Sequence, residues 1–415
     1  IRHRVAELAE GQVPNFNVAQ AQLAEVNRSD ERRVQPLLRP GRTPGTVEVE
    51  LKVTDELPLE ATVELNNRHA ADTTPWRLQG TLRYANLWQL DHALAVTAIT
   101  APAEPKESQV LSMTYTVPLP SQRTLVGYLV ASDSTLEPLG AATVFGKGIT
   151  AGLRWVHPLA VSPAQGSHSV TLGADYKNLR ERIESAGVDA LSTPLRYMPF
   201  LAAYSGLWQE GAEQTQLNLT ATFGLRRLLQ RDVECPGNIG PVDQFACKRQ
   251  GADGGFSTLR LDWRHNRPAP WIGGALGLRL GGQVASQPVP SSEQFSAGGA
   301  ETVRGYLEGE GSGDHGLLGS LEWRSSNLMP AREAAEPAVL NTVNLIGFVD
   351  VARLYTLLPT AGQAARTPLA GTGFGLRAQA WRRWNAELDF AWPLKATSRT
   401  PDRDVRVHAR LVGTF

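Results

Sequence analysis

The sequence predicts a mainly β protein, a transmembrane antiparallel β-barrel of about 16 strands that follows a small, incomplete N-terminal α+β domain. Three observations predict it. Segments with alternating apolar and polar residues recur from about residue 59 onward, no apolar run is long enough for a spanning helix, and the chain ends in an amphipathic segment closed by Phe415. We therefore divide the chain into an N-terminal domain, residues 1–58, and a barrel, residues 59–415.

The composition argues against a bundle of membrane helices. The 415 residues are 20% charged and 42% hydrophobic, the mean hydropathy is −0.23, and no run approaches the roughly 18 apolar residues of a spanning helix. Only helices and closed barrels satisfy every backbone polar group in lipid, so a membrane location requires a closed barrel. Lys plus Arg equals Asp plus Glu at 41 each, which argues against a nucleic-acid partner, because phosphate contacts demand a basic excess.

Alternation defines the barrel segments. In residues 215–223 and 384–392, one face of the predicted strand is largely apolar and the other polar or charged. A soluble β-sandwich gives the same pattern. A barrel is favoured because the segments suit a tilted span of roughly 9–11 residues and because charges recur on the second face. Tryptophans also lie near segment ends, where aromatic girdles at both membrane interfaces are expected. They are Trp88, Trp155, Trp208, Trp271 and Trp381.

About 16 such segments follow one another, an even number typical of bacterial barrels. The predicted starts lie near residues 61, 77, 92, 109, 123, 148, 167, 196, 214, 254, 272, 314, 342, 371, 383 and 404. The last segment, residues 404–415, alternates charged residues with apolar or small ones. An amphipathic strand with a terminal Phe resembles the C-terminal signal of bacterial outer-membrane barrels, which implies outer-membrane lipid and lipopolysaccharide as surroundings.

The first 58 residues differ in kind. Residues 17–27 predict a short helix, and RRVQPLL and residues 46–55 predict two strands joined by the turn PGRTPG. This order forms a small α+β domain that lacks a first strand. No initiating Met or signal segment precedes it, so we interpret the N-terminus as a processed or truncated end.

Two cysteines, Cys235 and Cys247, lie in a segment rich in Gly, Pro and Asp that is typical of a long loop between strands. We favour a loop disulfide in an oxidising compartment over two free thiols. A zinc site is excluded there, because two thiols without a nearby His or third Cys do not complete a tetrahedral shell.

Motifs for catalysis or cofactor binding are weak. Around Gly146-Lys147-Gly148 the upstream Gly140 has the wrong spacing and no Ser or Thr follows the Lys, as a phosphate loop would require. Residues 371–375 (GTGFG) lie in a strand pattern without the helix of a dinucleotide site. The eight histidines form no metal-binding pair. We expect no enzyme, cofactor or metal, although a Ser/His/Asp arrangement built from separate strands stays open.

A glycine-rich stretch carries the candidate site. Residues 295–316 read FSAGGAETVRGYLEGEGSGDHG, and their glycines allow the loop near residues 286–313 to fold back on itself. Alternation in the following segments places Glu322, Phe348 and Asp350 on the lumen face. A forked guanidinium suits carboxylates, and this phase puts the carboxylates of Glu322 and Asp350 where Arg304 can reach them. The alternative is a solvated lumen charge of the kind that porins have.

The tetrapeptide Val303-Arg304-Gly305-Tyr306, after a Gly-Gly pair, resembles the hallmark of the BamA-type superfamily of outer-membrane assembly and export barrels. The segment GFVDVA, residues 347–352, resembles its Phe-x-Asp motif, with Ala352 where glycine is usual. In that superfamily the loop folds into the barrel and its arginine contacts acidic residues of the next two strands.

A closer resemblance points to the transporters of two-partner secretion, which export filamentous haemagglutinins and haemolysins. Residues 32–53 resemble the second half of that family's membrane-proximal POTRA domain, and residues 66–94, with Asn86 before the turn, resemble its first barrel hairpin. The family normally has a plug helix and two POTRA domains, whereas one incomplete POTRA domain precedes this barrel. We interpret the difference as truncation, or as disordered chain left out of the sequence.

This resemblance implies a function. A secreted partner protein, large and β-helical, would meet the POTRA domain in the periplasm, cross the lumen of a monomeric barrel and fold outside. Two alternatives stay open, the assembly of other barrels, as BamA performs, and passive diffusion through a porin.

Overall fold

The computed structural model describes residues 2–27, 31–139, 142–160, 166–182, 192–235, 240–329 and 339–415. Two α-helices lie in these ranges, α1 (Phe16–Val26) and α2 (Gln244–Lys248), with 3₁₀ turns at Arg2–Arg4, Ala6–Leu8, Pro105–Glu107, Pro270–Ile272 and Ser291–Glu293. None of the described helices is long and apolar enough to cross a membrane.

Most of the described chain is β-strand. The strands are β1 (Arg32–Pro40), β2 (Val47–Asp55), β3 (Leu59–Asn66), β4 (Arg77–Leu87), β5 (His92–Thr100), β6 (Ser108–Pro118), β7 (Thr124–Leu139), β8 (Ala142–Pro158), β9 (Ser167–Arg182), β10 (Ser192–Tyr197), β11 (Phe200–Glu210), β12 (Glu213–Phe223), β13 (Asp232–Glu234), β14 (Pro241–Asp243), β15 (Ser257–Ala269), β16 (Gly274–Ala285), β17 (Phe295–Ala297), β18 (Gly311–Gly313), β19 (His315–Ser325), β20 (Leu340–Tyr355), β21 (Arg366–Ala380), β22 (Trp384–Pro393) and β23 (Arg406–Thr414).

A closed antiparallel barrel forms most of the molecule, which confirms the predicted fold class. Strands β10 and β11 both pair with β9 and act as two pieces of one barrel strand, so the described barrel has 16 strands. The break between the pieces contains Pro199, which has no N–H to donate to a sheet. The barrel closes where β23 pairs with β3, from Arg410 opposite Asn66 to Thr414 opposite Thr62.

The two faces of each wall strand follow the predicted alternation. In β20, Val349 and Val351 are exposed on the outer wall, whereas Ile346, Phe348 and Asp350 are buried on the inner side. Two strands begin earlier than predicted, β8 at Ala142 instead of near 148 and β21 at Arg366 instead of near 371. Their first residues lack a clean apolar/polar alternation, so the pattern alone did not reveal them.

The N-terminal module, residues 2–55, lies at one end of the barrel, which we call the module end. Its core joins Val5, Val26 of α1 and Val34 of β1, and β1 pairs with β2 from Arg32 opposite Asp55. We call the opposite end of the barrel the far end.

Two arginines of the module, Arg4 and Arg32, form ion pairs with Asp91 in the turn between β4 and β5, the second at 2.8 Å. Arg83 of β4 also reaches Glu31 at 2.8 Å. These pairs fix the module beside the first barrel hairpin.

The connections differ between the two ends. Tight turns join several strands at the module end, and the longer connections 224–256 and 286–314 lie at the far end. The five tryptophans expected to mark both interfaces all lie at the module end, in its turns or within four residues of them. Trp76 and Trp392 lie toward the far end, so the five chosen positions sampled only one interface.

Candidate functional site

The connection between β16 and β19 turns from the far end into the barrel. Strands β17 and β18 pair as its stem, with Phe295 opposite Gly313, and the tip between them carries Val303, Arg304, Gly305 and Tyr306. The tip is compact, because the Gly299 N–H donates to the carbonyl of Val303 at 3.2 Å. The structure thus places the glycine-rich stretch inside the lumen.

Arg304 binds Asp350 of β20 through both arms of its guanidinium. Its Nε donates to Asp350 Oδ2 at 2.7 Å, and its Nη2 donates to Oδ1 at 2.9 Å. The backbone N–H of Arg304 also donates to Oδ2, at 3.2 Å. The Asp350 side chain is 1% exposed and that of Arg304 is 7% exposed. This bidentate pair is therefore shielded from water, and hydrogen bonds between charged groups are stronger in such a buried site than on a surface.

Two further contacts fix the same guanidinium. Nη1 of Arg304 donates to Glu322 Oε2 of β19 at 2.8 Å, and the Arg304 Cζ lies 3.5 Å from the centroid of the Phe348 ring. The aromatic face attracts the cation and covers it from water. We call Arg304 with Glu322, Phe348 and Asp350 the loop lock.

Neighbouring residues of the tip dock against strands that the sequence reasoning had not assigned to the site. The Gly305 N–H donates to His408 Nε2 of β23 at 3.2 Å. The Tyr306 hydroxyl donates to the carbonyls of Ala370 and Lys395 at 3.0 and 2.7 Å. Val303 and Tyr306 are both fully buried, in an apolar cluster completed by Phe295, Ala297, Leu318, Ala352, Leu354 and Leu369.

Close backbone approach explains two glycines at the site. A Cβ on Gly371 of β21 would lie 2.0 Å from the carbonyl oxygen of Arg304, so only glycine leaves room for the tip. Gly305 has a φ of +100° and faces the backbone N of Pro393, so it needs both the left-handed conformation and the absence of a side chain.

The lock belongs to a larger charge network. Arg377 of β21 binds Asp389 of β22 through two bonds of 2.6 and 2.8 Å, and Asp389 lies 3.9 Å from Arg304 Nη1. The Ser320 hydroxyl donates to Asp350 at 2.6 Å. Alternation had placed Asp389 and His408 on the polar face, but it does not tell which polar residues lie at the height of the loop tip.

The described parts of the cysteine-containing connection, residues 224–235 and 240–256, pack over the far end of the lumen, and we call them the lid. Cys235 and Cys247 form a disulfide. Phe245 of α2 packs with Phe256 at the end of the lid, with Tyr197 of the wall and with Val289 at the start of the infolded loop.

A buried salt bridge joins the lid to the base of the infolded loop. Arg249 donates to both carboxylate oxygens of Asp314, at 2.7 and 2.5 Å. Asp314 is completely buried and also accepts the N–H groups of Val289 and Leu357, at 2.9 and 2.7 Å. The sequence reasoning missed this second anchor, since neither residue lies in a recognised motif.

Between the loop tip and the module end lies a cavity of about 770 Å³ lined by polar and charged side chains. Arg68, Arg279, Glu301 and Glu387 are among them. In the described part of the chain, no cluster of three or more His, Cys, Asp or Glu side chains is placed to hold a metal ion. The arrangement suits an aqueous passage that the infolded loop obstructs.

A 16-strand barrel with a loop held inside by a buried Arg–Asp pair defines a class, the outer-membrane barrels with an infolded loop. The family model for the haemolysin secretion/activation protein ShlB/FhaC/HecB matches residues 45–378. The chain belongs to this family and is an outer-membrane transporter of the two-partner secretion type.

Solved structures show the same fold. CdiB from Escherichia coli superposes with a TM-score of 0.72 at 18% identity, covering 100% of this chain and 73% of that one. CdiB from Acinetobacter baumannii gives 0.66 at 14%, covering 99% and 70%. BamA from Haemophilus ducreyi lacking POTRA domains 1–3 gives 0.65 at 12%, covering 100% and 81%. A search among curated proteins found no match to this chain.

Proposed function

We propose that this chain exports an unfolded partner protein from the periplasm to the cell surface, and that the loop lock holds the transporter in its resting state. The observation that carries the proposal is the bidentate, buried pair of Arg304 and Asp350, which keeps a separate loop inside an otherwise polar passage. A passive porin would not need such a pair. Membership of a secretion family supports the same conclusion.

The N-terminal module receives the partner in this proposal, as an incomplete POTRA domain on the periplasmic side. Within the described residues, β1 and β2 pair only with each other, so each strand leaves one edge with unpaired backbone groups. An extended segment of the partner can add to such an edge, where backbone hydrogen bonds give affinity without demanding one sequence. The contacts of Arg4 and Arg32 with Asp91 hold these edges near the barrel entrance.

Passage then requires the loop tip to leave its place. Tyr306 and Val303 fill the space beside β19, β20 and β21, while the lid packs over the far end. Once the tip withdraws, the charged cavity below it becomes continuous with the rest of the lumen. No nucleotide is available outside the inner membrane, so we attribute the driving force to folding of the partner on the far side.

A secretion assay with the co-encoded partner tests the proposal, together with planar-bilayer conductance. We expect partner export by the wild-type chain, and loss of partner binding after deletion of residues 1–58 with a barrel that stays heat-modifiable on gels. Export that persists without the module would refute its receptor role. Defective assembly of unrelated barrels in a deletion strain would favour a BamA-like function, and steady conductance without export would favour a porin.

A further inference from the structure

Two arginines lie side by side on the outer wall at the far end. Arg353 of β20 and Arg366 of β21 flank the ring of Tyr355, with their Cζ atoms 5.4 and 5.9 Å from its centroid. Tyr355 is directly opposite Arg366 in the sheet. Both arginines are exposed, and their side chains point away from the lumen, because the neighbouring positions Ala352 and Leu354 are buried inside.

Among the residues that the structure describes, no acidic group pairs with either arginine. In the described ranges neither arginine forms an ion pair, and residues 353–368 contain no Asp or Glu. The acidic residue at the start of β19, Asp314, is fully buried and bound to Arg249. The arginines of the loop network differ, since Arg304 and Arg377 are each matched to a carboxylate.

The position of the pair identifies its surroundings. The next outward residue of β20 toward the module end is Val351, and Leu317 of β19 lies directly opposite Arg353; their exposed fractions are 48% and 63%, and they belong to the apolar wall. The arginines therefore lie where that wall ends and the polar far end begins. Basic residues and tyrosine at this boundary are positioned for lipid head groups.

We propose that Arg353, Tyr355 and Arg366 bind the phosphate of an anionic lipid in the outer leaflet, the phosphorylated glucosamine head of lipid A. A guanidinium binds phosphate through two parallel hydrogen bonds. The guanidinium groups of Arg353 and Arg366, on either side of the Tyr355 ring, can bind one phosphate together or two adjacent phosphates. The acyl chains of the lipid pack on Val351 and Leu317. This assignment rests on the proposed orientation, with the module in the periplasm and the far end at the cell surface.

The test measures lipid A binding by the full chain in phosphatidylcholine nanodiscs, where both leaflets are identical and neither orientation nor export matters. We expect Arg353→Gln and Arg366→Gln each to weaken the apparent Kd for lipid A by about five-fold, and the double variant by about 25-fold if the two effects add. Lipid A from which the phosphates have been removed should bind like the double variant. A failed secretion assay would leave this measurement untouched.

A matched control lies at the other interface. Arg267 is an outward arginine of β15 whose Cζ lies 5.5 Å from the Trp271 ring, at the module end. Arg267→Gln should leave lipid A binding unchanged. The proposal would be overturned if wild type and double variant bound lipid A equally, or if Arg267→Gln weakened lipid A binding as much as the substitutions at the far end. Displacement of lipid A by millimolar inorganic phosphate would also overturn it. Heat-modifiability of each variant shows that its barrel is folded.

Discussion

Substitution of Arg304 by Ala is expected to release the infolded loop while the barrel stays intact. Removing one partner of a buried ion pair costs about 3–5 kcal/mol, because the remaining charge stays without water. Asp350 keeps the hydroxyl of Ser320 and the backbone N–H of residue 304, at 2.6 and 3.2 Å. We therefore expect a cost at the lower end of this range, about 3 kcal/mol. This cost shifts the equilibrium between the docked and the released loop about 100-fold toward release.

The loop position can be read from thiol accessibility. Val303 is fully buried in the docked loop, and both native cysteines are in the disulfide, so a Val303→Cys substitution supplies one reporter thiol. Its labelling by a maleimide should be about 100-fold faster when Arg304→Ala is added. Partner secretion should fall in Arg304→Ala alone, with heat-modifiability and membrane insertion unchanged.

A matched lumen arginine provides the control. Arg324 is 54% exposed and lies 3.5 Å from Glu322, and exposed pairs of this kind contribute about 0–1 kcal/mol. Arg324→Ala should change neither labelling nor secretion. If the Arg304→Ala variant secreted the partner at the wild-type level, the loop lock would have no role in the mechanism. The swap Arg304→Glu with Asp350→Arg is sharper, because partial rescue relative to the single variants would show direct coupling.

Three further outcomes follow from the same geometry. Gly371→Ala should expose the reporter thiol without removing a charge, since its Cβ would meet the Arg304 carbonyl at 2.0 Å; unchanged labelling would contradict the close approach. Arg249→Ala leaves the buried Asp314 uncompensated and should raise conductance in planar bilayers, whereas a conductance equal to wild type would show that the lid does not depend on this pair. Burial opposes ionisation of Asp91, but bonds from two module arginines outweigh it and lower its pKa. The contribution of the two Asp91 pairs to docking is therefore present at neutral pH and is lost as the pH falls from the ordinary aspartate pKa of 3.8 toward the lowered pKa of Asp91. Proteolysis of the module should accelerate there, and Asp91→Asn should reduce this pH dependence.

The sequence predicts the barrel wall well, because residues that face the lipid alternate with residues that face the lumen along each strand. The lumen side of Glu322, Phe348 and Asp350 follows from phase alone, since a shift by one residue would turn the whole strand over. The alternation does not tell at which height along the barrel axis a lumen-facing residue lies. His408 and Asp389 were assigned to the polar face, yet only the fold shows that they meet the loop tip.

Contacts between loops were harder to predict for a related reason. Arg249 and Asp314 are 65 residues apart, and each lies in a connection whose path depends on packing against the other. No periodicity constrains such segments, so sequence reasoning could place the two cysteines in one loop but not that loop over the far end. Tyr306 was singled out by a motif, whereas its partners, the carbonyls of Ala370 and Lys395, are backbone groups that any residue would supply.

The charge balance of the cavity below the loop bears on which chains can cross. Seven arginines and five carboxylates line it, and many of them are already paired, as Arg377 with Asp389 and Arg410 with Glu387. A wall of paired charges produces a weak net field, so a passing segment of either sign meets little attraction that would hold it in place. An unpaired row of one sign would bind the opposite charge and slow release. Under the proposed function, pairing therefore favours passage of an unfolded chain with varied sequence, and it leaves selection of the partner to the strand edges of the module.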